Sequence, residues 1–211
     1  AWASVGYACS ANRMTTAALL NVLPGTGSEG STAYTVTIAA NAKPAQTNYP
    51  LRIKGAGRGR TRIVSSCPTP WLTNGATKVS FDLESMSVEN TVGAIYDFGS
   101  GATQDKVARF RDVRLKSATS PFFLTSGTIE VRQFDATCGQ YLGAGAGTGD
   151  YAFVLEAGVA RGGSRIVYFR GGAAAACRVE NVVGIGQTVA GVEVLAAAVN
   201  LPTVRNVAVD A

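Results

Sequence analysis

The chain has 211 residues, 46% of them hydrophobic and 16% charged, which is enough apolar material for one sizeable core. Its net charge of +5 is a mild basicity that admits an acidic partner without naming one. With no histidine and four cysteines that form no CxxC, the usual zinc sites and a disulfide scaffold are excluded, no metal or cofactor is expected, and the cysteines read as small buried hydrophobes.

Residues 1–32 read as a separate N-terminal segment. "NRMTTAALLNVL" predicts a short helix over about 15–22, and "PGTGSEGST" predicts a loop. Two roles stay open for this segment: a cap over the first coil of a stacked fold, or an arm docking on a partner. "AWASVGYACSANRM" lacks the basic-then-apolar layout of a signal peptide. No apolar run approaches the ~20 residues of a membrane span, so no membrane partner is expected.

From residue 33 onward the pattern changes. "TVTIAANAKPAQTNYPLRIKGAGRGRTRIVSS" (35–66) predicts short strands around Leu51 and Ile53, a Gly55-x-Gly57 turn, and a further strand carrying Thr61 and Ile63. A six-residue motif then recurs: apolar, any, polar or turn-forming, apolar, any, apolar. It reads "LESMSV" from Leu83, "FRDVRL" from Phe110, "VRQFDA" from Val131, "VLEAGV" from Val154, "VENVVG" from Val179 and "VRNVAV" from Val204. The starts lie 27, 21, 23, 25 and 25 residues apart, a spacing that signals stacked units.

The motif itself predicts the unit. An unbroken strand keeps period two, but here the phase slips by one residue at the third place. That place holds Ser85, Asp112, Gln133, Glu156, Asn181 and Asn206. Asn, Asp and Ser tolerate left-handed or bridging backbone, so the third place predicts a bend between two short strands. Leu83, Met86 and Val88, with their equivalents, then point inward. A second apolar segment follows in each unit: "AIYDF" (94–98), "FFL" (122–124), "YL" (141–142), "RIVYF" (165–169) and "VEVL" (192–195). No unit has room for a long helix. Coils of short strands stacked every ~4.8 Å make a parallel β-helix.

These residues resemble the right-handed parallel β-helix superfamily, the pectate-lyase-like fold. The opening coil carries the likeness through Leu51, Ile53, Gly55, Gly57, Thr61 and Ile63, and the resemblance spans roughly 33–211. It implies an all-β, right-handed parallel β-helix of about seven coils, with 1–32 as the cap or arm. The superfamily holds polysaccharide lyases and hydrolases and many bacteriophage tailspikes and virion surface proteins, so fold alone does not choose a function.

The superfamily's enzyme motifs are not found. Without histidine the Gly-His-Gly of polygalacturonases is impossible, and "RIK" at 52–54 lies at the wrong end for their final motif. No pectate-lyase arginine motif is present, and "YDFG" (96–99) and "TQDK" (103–106) come in the wrong order for a methylesterase. "GRGRTR" (57–62) lacks the Lys-Ser/Thr ending of a phosphate loop. Along the outward columns, the second place reads Glu84, Arg111, Arg132, Leu155, Glu180, Arg205 and the fifth reads Ser87, Arg114, Asp135, Gly158, Val183, Ala208. No two carboxylates are neighbours in this alignment, and opposite charges meet instead, as in ordinary sheet stabilisation. A loop-borne site using Asp97, Asp105 or Asp150 stays open.

"KVARFRDVRLK" places Lys106, Arg109, Arg111, Arg114 and Lys116 on one strand, a candidate surface for an anionic glycan or another acidic partner. Aromatic residues do not alternate with these cations on the outward side, so nucleic acid is not expected. Leu155, Val183 and Ala208 read as outward yet apolar, a candidate contact between copies, and the resemblance implies a homotrimer. The expected function is a non-catalytic virion structural protein: a phage capsid decoration, a spike or a tail-fibre module, made in the host cytoplasm and contacting capsid or tail proteins. Two alternatives remain open, namely a depolymerase cleaving host surface glycan and a glycan-binding adhesin; either would allow a secreted location.

Overall fold

A computed structural model describes residues 18–21, 34–38, 45–47, 50–66, 68, 72–74, 80–97, 106–124, 126–146, 151–170, 176–195 and 201–210. They form a parallel β-solenoid. The first strands are β1 (Ala18–Asn21), β2 (Tyr34–Ile38), β3 (Ala45–Thr47), β4 (Leu51–Lys54), β5 (Thr61–Ser65) and β6 (Leu72–Asn74). Five complete turns follow, each a long strand and then a short one: β7 (Phe81–Asn90) with β8 (Tyr96–Asp97), β9 (Val107–Ser117) with β10 (Phe122–Leu124), β11 (Gly127–Cys138) with β12 (Tyr141–Ala146), β13 (Tyr151–Arg161) with β14 (Arg165–Arg170), and β15 (Arg178–Ile185) with β16 (Ala190–Val194). A last long strand, β17 (Thr203–Asp210), stacks on β15.

The long strands share one parallel sheet, and the short strands share a second, ordered β16-β14-β12-β10-β8-β6-β3. The short strands fall on the five predicted secondary apolar segments. The expectation of about seven coils becomes about five turns. One local expectation fails. The helix over 15–22 is not formed where it is described, since Ala18–Asn21 is a strand pairing with β4. A helix of eight residues is marginal in isolation, whereas the free edge of β4 offers backbone partners at once. The rest of 1–32 lies outside the described residues.

The bend is where the motif put it. Ser85, Asp112, Gln133, Asn181 and Asn206 all have φ between 49° and 55°. Each long strand continues through this left-handed residue, so the unit is one bent strand rather than two. In β13 the bend falls at Ala157 (φ 56°), not Glu156. The pairing confirms the shift: Leu155 lies beside Val131, and Gly158 beside Phe134. The motif copy here starts at Leu155, one residue later than its sequence match.

Inward places fill the core. Leu83, Met86, Val88, Phe110, Val113, Leu115, Val131, Phe134, Ala136, Leu155 and Ala160 are all buried. Aromatic rings climb the interior from Phe81 and Tyr96 (centroids 5.7 Å apart) through Phe110 and Phe122 (4.8 Å) to Phe153. Each such contact adds about 0.5–1.5 kcal/mol beyond the area it buries. The corner after β7 is held by fully buried Asn90. Its Oδ1 accepts from the backbone N–H of Val92 and Gly93, both at 3.1 Å, and its Nδ2 donates to the Ala94 carbonyl at 2.7 Å. A buried corner has polar backbone to satisfy, and one side-chain amide satisfies three groups.

Candidate functional site

The outer face of the long-strand sheet carries most of the described charge. Because the strands are parallel and in register, outward residues of successive rungs stand side by side. Arg109 lies between Asp82 (3.6 Å) and Glu130 (3.5 Å). Arg132 reaches Glu130 at 3.8 Å and Glu156 at 3.4 Å. Glu84 takes Arg52 and Lys54, and this contact with Arg52 holds its carboxyl below the usual range. Glu89 is mostly buried, which alone would raise its pKa, but hydrogen bonds from Arg62 and Lys116 outweigh burial and lower it. Exposed pairs of this kind contribute at most about 1 kcal/mol each, but here they link rung to rung from β4 and β5 to β13.

The corrected register changes one column. Glu156 replaces Leu155 at the second place, so Glu156 stands beside Glu180, and two carboxylates are neighbours after all. The sequence alignment missed this because it was shifted by one residue in β13. Neither residue lines the grooves described below.

Those grooves flank a loop. Residues 55–60, between β4 and β5, sit where other rungs have only a bend residue, since β4 pairs with the first half of β7 and β5 with the second. The loop lies against the bend: Gly55 N–H donates to the Glu84 carbonyl and Gly57 N–H to the Ser85 carbonyl, both at 2.9 Å. A Cβ on Gly55 would stand 2.4 Å from the Ser85 oxygen, so only glycine fits this approach. Arg58 reaches further. Its Nε donates to Asp112 Oδ1 at 2.7 Å and its Nη2 to the Gln133 carbonyl, while its own carbonyl accepts from Ser87 Oγ. One side chain thus ties the loop to the bends of the next two rungs.

On one side of Arg58 a groove of about 480 Å³ runs over the bends, lined by Asp112, Gln133, Phe134, Ala157, Gly158 and Val159. On the other side a groove of about 360 Å³ is lined by Arg58, Arg62, Arg114 and Lys116, with Glu89 as its carboxylate and Ser87 and Val88 in its wall.

The five cations singled out on β9 therefore divide. Arg109, Arg111, Arg114 and Lys116 all face outward, and Lys106 is half-buried just before the strand. The bend separates them. Arg114 and Lys116 join the basic groove; Arg109 is held between two carboxylates and lies outside it. Arg111 has no ion-pair partner among the described residues, because Glu84 beside it is occupied by Arg52 and Lys54. Arg58 and Arg62 are the groove residues the sequence reading did not select. The usable signal was a basic six-residue insertion, "GAGRGR", at a bend position.

The apolar contact residues also divide. Val183 is 41% exposed and Ala208 is exposed, but Leu155 is wholly buried. The register shift explains it: Leu155 is an inward first place, and Val159 takes the outward fifth place beside Val183. Of the eight exposed large hydrophobics among the described residues, seven lie at 183–209, including Val189, Leu201, Val204 and Val209. The apolar surface is therefore concentrated on the last rungs.

On the second sheet, Phe123, Tyr141 and Tyr168 form a half-exposed row with centroids 6.3 and 6.0 Å apart. Their planes are tilted by 82° and 52°, and Arg165, bound to Glu193, covers Tyr168. The rings pack on one another and do not form a flat platform. Cys138 and Cys177 are free, buried thiols whose pKa burial pushes from 9.0 to about 12. They are packing groups, as expected; Cys9 and Cys67 lie outside the described residues. So do Asp105, Asp150 and the side chain of Asp97. Among the described residues no group of three or more Cys, Asp or Glu is arranged to hold a metal ion.

The chain matches no family model, no curated protein and no solved structure.

Proposed function

We propose that the chain is a non-catalytic structural module of a virion surface: a capsid decoration, a spike or a tail-fibre segment of a bacteriophage. The supporting observation is the use of charge on the long-strand face. Arg109, Arg132, Glu84 and Glu89 each bind carboxylates or cations on neighbouring rungs, so the face serves to hold coils together. A stacked, hydrogen-bonded solenoid with a continuous aromatic core suits a part that must endure mechanical and chemical stress. The virion assignment rests on the resemblance of the opening coil and repeat to β-helix surface proteins of phage.

Self-association as a homotrimer is part of this reading. The apolar surface of the last rungs, with Val183 and Ala208, supplies the kind of face that copies bury against one another. Capsid or tail proteins are the other partners it implies. Attachment to an anionic surface glycan is a second reading, favoured by the basic groove beside Arg58.

Fractionating the native source on a density gradient, with peptide mass spectrometry locating the chain, tests the proposal. Banding with nucleic-acid-filled particles in many copies is the expected result. A chain that stays soluble and away from particles overturns it. Light scattering on the purified chain is expected to give three times the chain mass.

A further inference from the structure

Beyond a structural role, we infer that the groove between the 55–60 loop and the second half of β9 is an oxyanion site that takes one phosphate or sulfate group. Four cationic side chains from the two rungs on either side of β7 line it. Arg58 comes from the loop, Arg62 from β5, and Arg114 and Lys116 from β9. Glu89 is the one carboxylate in the lining, while Asp112 pairs with Arg58 and Asp135 approaches Arg114 from outside it.

Glu89 prepares the site and does not neutralise it. Its two oxygens hold Arg62 and Lys116 from opposite rungs, which fixes both cations at the groove without ligand. Arg62 uses one guanidinium nitrogen in this contact, and Lys116 one of three ammonium protons. Arg58 is immobilised by Asp112 and the Gln133 carbonyl and keeps Nη1 uncommitted by those bonds. Such ordering before binding removes part of the entropic cost of capture.

Arg114 is the group the fold leaves under-used. Its only carboxylate among the described residues is Asp135, at 3.9 Å, and Asp135 is held more closely by Arg161 at 3.1 Å. The Arg114 side chain is 61% exposed and keeps its planar fork of donors free for an incoming anion.

The number of donors selects the ligand chemistry. Four cations from the rung below and the rung above exceed what the two oxygens of a carboxylate satisfy, and Glu89 already fills that role within the protein. A tetrahedral oxyanion offers more acceptors in more directions. A nucleic acid fits poorly, because no aromatic ring among the described residues lines the groove and the basic path ends where Arg109 is tied to Asp82 and Glu130.

The test titrates the full chain with inorganic phosphate, and separately with inorganic sulfate, at constant ionic strength in chloride. Calorimetry and backbone NMR shifts at residues 58–62, 87–89 and 114–116 give the readout. Saturable binding at or below an affinity on the order of 10 mM is expected, weakened about tenfold or more in Arg114→Ala and unchanged in Arg178→Ala, an exposed cation outside the groove. Arg114 is a surface side chain, so its variant is expected to fold as the parent does, and the unchanged NMR spectrum elsewhere verifies that. Absence of saturable binding by both anions overturns the inference, as does equal affinity in Arg114→Ala. Tight binding of a single-stranded oligonucleotide that survives Arg114→Ala, with neither anion bound, overturns it by moving recognition elsewhere.

Discussion

Among the described residues, Ala157 is the one bend residue with neither glycine's freedom nor a polar side chain. Its φ of 56° is the left-handed conformation that costs an ordinary L-residue roughly 1–2 kcal/mol, whereas Asn adopts it more readily. The next two rungs place Asn at this position, and the Asn206 Nδ2 donates to the Asn181 Oδ1 at 3.0 Å. Replacing Ala157→Asn therefore relieves strain and puts an amide beside Asn181. A gain of about 0.5–1 kcal/mol is expected, read as a higher urea midpoint with an unchanged slope. An unchanged or lower midpoint would show that the bend stores no strain at this rung.

At the scale of the strand, Gly158 has a different duty. It occupies the inward fourth place of β13, where other rungs carry Met86, Val113 and Phe134. The Phe134 ring fills the space, and a Cβ on Gly158 would stand 2.3 Å from that ring. Gly158→Val is expected to destabilise by about 1–3 kcal/mol, through displacement of Phe134 and not through exposure. Denaturant melts give the magnitude, and a changed near-ultraviolet aromatic signal identifies the ring; normal stability would mean that the ring has somewhere else to go. The same glycine explains what was legible in the sequence. The bent repeat, its inward residues and the short second strands could be read because each copy wrote apolar residues at fixed places. In β13 the fourth place has no side chain, so "VLEAGV" matches one residue early, which sets Leu155 outward, Glu156 at the bend and Val159 inward, each one place out. The cost of that slip was local to one rung, but it hid the Glu156–Glu180 pair. The basic groove was legible only in half. Arg114 and Lys116 announce themselves by alternation, whereas Arg58 enters through a loop whose destination, the bends of Asp112 and Gln133, depends on strand stacking that no local pattern encodes.

For the whole molecule, burial and pairing set opposite pH limits. Glu84 and Glu89 have folded pKa values held below those of the unfolded chain. Their stabilisation is fully present above the ordinary carboxylate range, near about 4.3, and is lost as pH falls through the depressed values. Cys138 and Cys177 work in the other direction. Both rise from 9.0 to about 12 on burial, and Tyr151 from 10.0 to about 12. The unfolded chain releases these protons first, so their contribution is intact below pH 9 and disappears as pH climbs from there through about 12. In the steep part of that window each thiol removes about 1.4 kcal/mol per pH unit. Because a solenoid adds stability rung by rung through its neighbours, the loss at Cys138 in β11 and at Cys177 beside β15 weakens two rungs at once. Cys138→Ala is therefore expected to lower stability modestly at pH 7, by the small cavity it opens, and to flatten the decline between pH 9 and 11 by one thiol's share. Urea melts at half-unit pH steps read both effects in one series. An alkaline slope identical to that of the parent would mean that Cys138 ionises alike in the folded and unfolded chain, and that the interior around it is open to water.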